Sequence, residues 1–142
     1  MTEDEATPVL VKEEGAVARI VLNRPQAGNS LSMALVKALS AALTALAPRE
    51  EIKVIVLSGA GSRIFSAGHD LNEFHGDPDP DILAADFAGI TALMQQVMSQ
   101  PQIVIAKVEG VATAAGCELV AACDLALASS AARSSPPTAN DA

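Results

Sequence analysis

Residues Gly110 to Asp124, GVATAAGCELVAACD, decide the fold, because small residues, an acid and an apolar run follow one another at helical spacing. We interpret this stretch as a loop that opens into a helix. Backbone N–H groups at a helix start lack acceptors within the helix and attract anions, and small side chains leave them approachable. Glu118 lies three residues after Ala115, so one helical turn places its carboxylate near the same opening. The pattern favours an oxyanion seat beside an acid, while a surface glutamate on an alanine-rich helix fits this stretch equally well.

Composition limits the classes of function. The 142 residues, half of them hydrophobic and with a mean hydropathy of +0.32, suit one domain with an ample core. A net charge of -8 argues against a nucleic-acid partner, which would be bound through clustered Lys and Arg. The acidic N-terminus shows no signal or transit pattern, which makes the cytoplasm the default location. The longest apolar region, Val104 to Ala128, is interrupted by four charged residues, so no membrane span is expected.

The first half of the chain predicts a β-α-β arrangement. Val9 to Lys12 and Ala16 to Leu22 read as a hairpin, and a helix from about Ser32 to Ala47 follows, with Asn29 or Ser30 as candidate caps. The apolar, β-branched run Ile52 to Leu57 is typical of a strand covered on both faces.

The second half repeats the pattern after two further small-residue stretches, Ser58 to Ser62 and Ile64 to Leu71. An amphipathic helix is predicted from about Ile82 to Met98, and strands at Ile103 to Val108 and Leu125 to Ala128. The loop Ser58 to Ser62 only superficially resembles a phosphate loop, and a nucleotide role there is a remote alternative. Residues 1–8 and 134–142 are expected to be disordered.

The two histidines and two cysteines do not predict a metal site. His69 and His75 lack the spacing of a helical zinc pair and have no neighbouring cysteine. Cys117 and Cys123 point in different directions on a helix, so they are expected to be core thiols that neither pair nor chelate.

Three motifs in order give the chain a family resemblance. They are LNRP with NSL (Leu22 to Leu31), FSAGHDL (Phe65 to Leu71) and GVATAAGCELVAACD (Gly110 to Asp124). The chain resembles the crotonase superfamily of enoyl-CoA hydratases and isomerases from about Val9 to Arg133. The resemblance implies an α/β fold, a spiral of β-β-α turns of which only the N-terminal portion is present, and an acyl-CoA thioester as substrate in fatty-acid metabolism. It implies no cofactor beyond the coenzyme A of the substrate, a homo-oligomer, trimeric in the full-length family, and a mitochondrial location as an alternative.

Site residues follow from the same resemblance. The backbone N–H groups of Ala67 and Ala115 correspond to the oxyanion hole, and Glu118 corresponds to the first catalytic glutamate. Arg24 lies where the phosphate and pantetheine portion of the coenzyme passes. The remaining expected substrate-binding positions are Ser66, Gly68, His69, Asp70, Leu71 and Gly116.

The chain departs from the family pattern in two respects. Ala114 and Ala115 replace glycines of many hydratases, which keeps the N–H but adds a methyl group beside the thioester. No glutamate follows Glu118, so the family's second acid is absent, and the chain after Arg133 looks truncated. Two hypotheses therefore remain open: an acyl-CoA hydratase or isomerase relative, and a catalytically inactive fragment that acts as a binding or interaction module.

Overall fold

A computed structural model describes residues 7–70, 73 and 79–136 of this α/β protein. A five-stranded sheet has the order β1-β2-β3-β5-β7, and only its first pair, β1 with β2, is antiparallel. Its strands are β1 (Val9–Glu14), β2 (Val17–Leu22), β3 (Val54–Gly59), β5 (Ile103–Val108) and β7 (Leu125–Ala128). The predicted hairpin and the three later strands are confirmed within two residues.

Three helices follow the strands along the chain. They are α1 (Met33–Leu46), α2 (Pro80–Ser99) and α3 (Ala115–Ala122). The first two confirm the predicted helices, although the cap of α1 was assigned wrongly: Ser32, rather than Asn29 or Ser30, accepts from the N–H of Leu35 at 3.1 Å. Leucines at intervals of three or four give α1 one buried stripe against β1 and β2, and α2 packs between α1 and α3.

The helices bury one face of the large sheet. The other face is less buried than the prediction of strands covered on both faces requires. Along β3 and β5, buried residues alternate with residues that are half-buried or exposed. The expectation that these strands are covered on both faces is wrong for the described residues, since Ile103 is 50% exposed. The outer positions stay apolar and are half-buried or exposed, because the helices pack on the inner face.

A second sheet of three short parallel strands carries the small-residue loops. It contains β4 (Ile64–Ser66), β6 (Val111–Thr113) and β8 (Arg133–Ser135), in that order. Ser134 and Ser135, which composition assigned to a disordered tail, pair with Ala112 and Thr113. Composition missed this strand because main-chain pairing to β6 requires no apolar pattern of its own.

Helix α2 is long and apolar enough to cross a membrane by length and composition alone. Its buried positions include Ile90, Leu93 and Val97, which lie on one stripe at helical spacing. Packing against α1 and α3 accounts for this stripe, so we describe α2 as a helix of the folded domain.

Candidate functional site

The start of α3 carries the first predicted donor. Ala114, immediately before the helix, has φ 52° and ψ -125°, a conformation that favours glycine. Its carbonyl oxygen accepts from Cys117 at 3.0 Å and from Glu118 at 3.2 Å. No residue in the described part of the chain accepts from the N–H of Ala115. An N–H group without an acceptor among the described residues thus lies at the position that the sequence indicated, in a residue that is 2% exposed.

The loop after β4 carries the second predicted donor, and here the structure differs. The N–H of Ala67 donates to the carbonyl oxygen of Gly28 at 2.9 Å. The next N–H, that of Gly68, donates to Ser66 Oγ at 3.2 Å. Ala67 is therefore not a ready oxyanion donor in this structure, because its only N–H already has an acceptor.

The two small-residue loops nevertheless meet. A Cβ atom added to Gly68 would lie 2.9 Å from the backbone nitrogen of Ala115. A Cβ atom added to Gly116 would overlap with the carbonyl oxygen of Ser66. Both glycines are buried, and their lack of side chains lets the start of α3 pack directly on the loop after β4. The structure thus brings together four of the predicted site residues.

Arg24 is held inside the protein rather than presented to a ligand. Its Nη1 donates to Asp70 Oδ2 at 3.1 Å and to the carbonyl oxygen and Oγ of Ser30 at 3.2 and 3.1 Å. The Asp70 side chain is 7% exposed and that of Arg24 is 21% exposed. Because a buried carboxylate balances its charge, Arg24 is poorly suited to bind phosphate, in contrast to the prediction.

An open cleft of about 730 Å³ lies beside Pro25, the residue after Arg24, where β3 and β4 are joined. Its lining consists of Pro25, the loop Ala60 to Arg63, Ile64 and Val111. The loop overlaps the stretch Ser58 to Ser62, which the sequence singled out as a remote nucleotide site. Arg63 is exposed here and forms no ion pair within the described residues. Arg63 is therefore the cation that this cleft presents, whereas the charge of Arg24 is paired with Asp70.

Glu118 lies on the first turn of α3 and is exposed. It lines a groove of about 360 Å³ between α2 and α3, together with Met94, Met98 and other residues of the two helices. One carboxylate and two flexible apolar side chains therefore line the same groove. This arrangement suits an apolar chain ending near a proton donor or acceptor.

His69 and Glu73 each contact a helix that lies distant in sequence, α2 and the start of α1 respectively. The His69 ring packs against Phe87 of α2 with centroids 4.5 Å apart. Glu73 accepts from the N–H of Met33 at the start of α1, at 3.0 and 3.2 Å. Burial raises the pKa of the Glu73 carboxyl, and repulsion by Asp86 and Asp70 adds to this effect. Glu73 was missed by sequence reasoning because it caps a helix that begins 40 residues earlier.

Two predicted positions, Leu71 and His75, lie outside the described residues. Within the described ranges, no group of three His, Cys, Asp or Glu side chains is arranged to hold a metal ion.

The fold is an α/β arrangement in which two small-residue loops pack on each other at the start of α3, and Glu118 of that helix lines an open groove. The chain belongs to the enoyl-CoA hydratase/isomerase family, whose model matches residues 12–140. It is 40% identical over 129 residues to the mitochondrial enoyl-CoA hydratase domain-containing protein 3 of Danio rerio, covering 91% of this chain and 44% of that protein. It is 39% identical over 129 residues to a probable enoyl-CoA hydratase of Rhizobium meliloti, covering 91% and 49%.

Solved structures show the same fold. The crystal structure of human enoyl coenzyme A hydratase domain-containing protein 3 matches with a TM-score of 0.89 and 37% identity, over 94% of this chain and 53% of that one. An enoyl-CoA hydratase from Bacillus anthracis matches with a TM-score of 0.88 and 34% identity, over 92% and 50%. The chain spans about half the length of the curated relatives that it matches.

Proposed function

We propose that the chain binds an acyl-CoA thioester whose carbonyl oxygen accepts from the N–H of Ala115, with Glu118 as the acid or base. The observation that carries this proposal is the N–H of Ala115, which starts α3 and has no acceptor in the described part of the chain. A donor aimed at a developing oxyanion is worth about 2.7–4 kcal/mol in comparable sites. The family membership supplies the class of substrate.

The second donor of this oxyanion hole is not the N–H of Ala67 unless its bond to Gly28 opens when the ligand binds. The N–H of Gly68 also has an acceptor, Ser66 Oγ, so it does not supply the second donor either. In our proposal the N–H of Ala115 is therefore the donor that polarises the thioester carbonyl as long as the loop after β4 keeps its present hydrogen bonds. The groove between α2 and α3 would take the acyl chain, beginning at Glu118 and passing Met94 and Met98.

The Ala115 assignment is tested with a proline at the first helical position, where proline is tolerated and removes the N–H. Both proteins in this comparison carry Ala114→Gly, because a glycine at position 114 adopts the required positive φ whether alanine or proline follows it. Titration with crotonyl-CoA should give an affinity about tenfold lower for Ala114→Gly/Ala115→Pro than for Ala114→Gly, the loss of one hydrogen bond. Equal affinities for the two folded proteins would refute the assignment.

Arg63, rather than Arg24, is our candidate for the phosphates of coenzyme A, because it lines the cleft and Arg24 is paired with Asp70. Arg63→Gln should weaken crotonyl-CoA binding by about tenfold and leave the binding of crotonyl-pantetheine, which lacks the nucleotide, unchanged. A loss of affinity for both thioesters would instead indicate a general distortion of the site.

Catalysis by this chain is proposed to be weak. Hydration needs a base for the water and an acid for the α-carbon, each typically worth about 10²–10⁴-fold, and Glu118 serves at most one of these roles. Hydratase turnover of crotonyl-CoA is therefore expected to be very low, and Glu118→Gln should abolish what remains. Turnover comparable to that of a whole hydratase would contradict the proposal.

A second candidate function is a non-catalytic binding or interaction module, and the edge strand β7 favours it. Leu125 and Leu127 are 58% and 62% exposed, and among the described residues β7 pairs with β5 alone. An apolar edge strand without charges is a template for pairing with another chain. We propose that the chain forms homo-oligomers through this edge, consistent with the oligomers expected from the family resemblance.

Light scattering tests the oligomer. Leu127→Lys should reduce the associated fraction and the binding of the dye ANS, since a charge on the edge opposes pairing. Leu10→Lys, on the opposite edge strand β1, is the matched control and should leave association unchanged. A wild-type protein that stays monomeric and binds no ANS would refute the proposal.

The animal relatives are named as mitochondrial, whereas the cytoplasmic location of this chain stays a prediction.

A further inference from the structure

Asn29 is a fully buried polar residue in an unusual conformation. Its side chain is 0% exposed, and its φ of 51° places it in the left-handed region, which asparagine tolerates better than most residues. Burial of an amide is unfavourable unless its hydrogen-bonding groups find partners. The partners of this amide therefore indicate what the residue does.

The Asn29 side chain joins two loops that flank the open cleft. Its Oδ1 accepts from the N–H of Arg24 at 2.9 Å. Its Nδ2 donates to the carbonyl oxygens of Ala60 and Ile64, at 3.1 and 2.9 Å. Ala60 and Ile64 bracket the three residues that carry the exposed Arg63. Both N–H donors of the amide are thus used to fix the ends of the loop that lines the cleft.

The Asn29 backbone is tied to the other small-residue loop. Its carbonyl oxygen accepts from Ser66 Oγ at 2.9 Å, and Ser66 Oγ in turn accepts from the N–H of Gly68 at 3.2 Å. Gly68 packs on the backbone nitrogen of Ala115. One residue therefore connects the Arg63 cleft to the start of α3 through a continuous set of hydrogen bonds and one backbone contact.

We infer that Asn29 is a positioning residue that holds the phosphate end and the thioester end of the ligand site in a fixed relation. It contacts neither end of the ligand itself. This inference rests on the proposed function, because it assigns the Arg63 cleft and the N–H of Ala115 to one acyl-CoA. A ligand that spans both loops gains affinity from their correct separation, while a ligand confined to one loop does not.

Binding of half-ligands distinguishes positioning from a purely structural role. Asn29→Asp is nearly isosteric, but it removes both donors and places a carboxylate oxygen near the carbonyl oxygens of Ala60 and Ile64. We expect the affinity for crotonyl-CoA to fall by about tenfold or more. The affinities for adenosine 3′,5′-bisphosphate and for crotonyl-pantetheine should each change by less than about threefold. NMR titration at a temperature where both proteins are folded provides the measurement.

Two further variants keep the test decisive. Asn23→Asp is the matched control, since Asn23 Nδ2 donates to the carbonyl oxygen of Thr7, away from the cleft. It should leave all three affinities within about twofold. If Asn29→Asp does not fold, Ser66→Ala breaks the link from Asn29 to Gly68 and should reproduce the selective loss for crotonyl-CoA.

The outcomes separate this inference from the proposed function. A wild-type chain that binds both half-ligands and crotonyl-CoA, with Asn29→Asp weakening all three equally, would overturn the positioning role and leave the proposed function standing. No loss for any ligand in Asn29→Asp would also overturn it. A wild-type chain that does not bind crotonyl-CoA would refute the proposed function, and the inference with it.

Discussion

The two small-residue loops that resemble each other in sequence differ in what their N–H groups do. Ala67 follows a strand and donates to Gly28, whereas Ala115 begins a helix and has no acceptor in the described part of the chain. A loop that continues beyond a strand still lies beside other backbone segments, so its donors find carbonyl groups. The first N–H groups of a helix point away from the preceding chain and remain available. Small residues alone therefore do not identify an N–H group that lacks an acceptor, and the position at a helix start is the better guide.

The largest effect is expected where the two loops touch. Gly116→Ala adds a Cβ atom that overlaps with the backbone of Ser66, which a rotamer change cannot relieve. We expect a loss of about 3 kcal/mol or more in the free energy of unfolding, measured by urea denaturation. Gly89→Ala in α2 is the control, because its Cβ meets nothing within 4 Å and should stabilise the helix by about 0.5–1 kcal/mol. Similar losses in both variants would show that the loops are not closely packed.

A proline in the loop after β4 should act on stability. Ala67→Pro removes the N–H that donates to Gly28 and should lower the free energy of unfolding by about 1–3 kcal/mol. The proline at position 115 described above removes an N–H without an internal acceptor and should mainly lower ligand affinity. Thermal and urea unfolding of the two variants compare them directly. A proline at 67 without effect on stability would mean that the bond to Gly28 is not formed in solution.

A smaller effect of opposite sign is expected just before α3. Ala114 adopts a positive φ at a cost of about 1–3 kcal/mol, and glycine removes that strain while losing more conformational entropy on folding. Ala114→Gly should therefore raise the free energy of unfolding by about 1 kcal/mol. Ala41→Gly, at an exposed position within α1, should lower it by about 1 kcal/mol. Equal destabilisation of both variants would argue against the positive φ.

The effect that is smallest near neutral pH concerns the other end of α3, and it grows as the pH rises. Burial, and secondarily the charge of Asp124, raises the pKa of the Cys123 thiol from 9.0 to about 12. The folded state thus holds the thiol proton more tightly than the unfolded chain, so this contribution to stability is complete below pH 9.0 and is lost as the pH rises towards about 12. Urea denaturation across this range should show a steeper loss for the wild type than for Cys123→Ala. Parallel losses would show that the thiol is not buried.

Local sequence patterns were sufficient for the helices and for the large sheet. The leucine stripe of α1 and the β-branched runs of β3 and β5 indicate one element each, because burial of a periodic apolar face decides the conformation locally. The short strands β4, β6 and β8 were not recognised as a second sheet. Each has three residues, and what stabilises them is pairing between segments about 20 to 50 positions apart, which no local pattern encodes.

The candidate site was predictable in part for the same reason. Ala115 and Glu118 are placed by the helix to which they belong, so their relation follows from spacing. The states of Ala67, Arg24 and Asn29 depend on partners distant in sequence. Arg24 pairs with Asp70, which is 46 positions away, and Asn29 bonds to Ile64, which is 35 positions away.

The sequence by itself determined the α/β class, the helix start at Ala115, the glutamate one turn later and the resemblance to the enoyl-CoA hydratases and isomerases. These features depend on residue type and short spacing. Only the tertiary structure decided which N–H groups remain available, which arginine faces the cleft, and that β7 is an exposed edge. Hydrogen-bond partners and solvent exposure are properties of the assembled chain, since each requires knowing which distant segments lie next to a given residue.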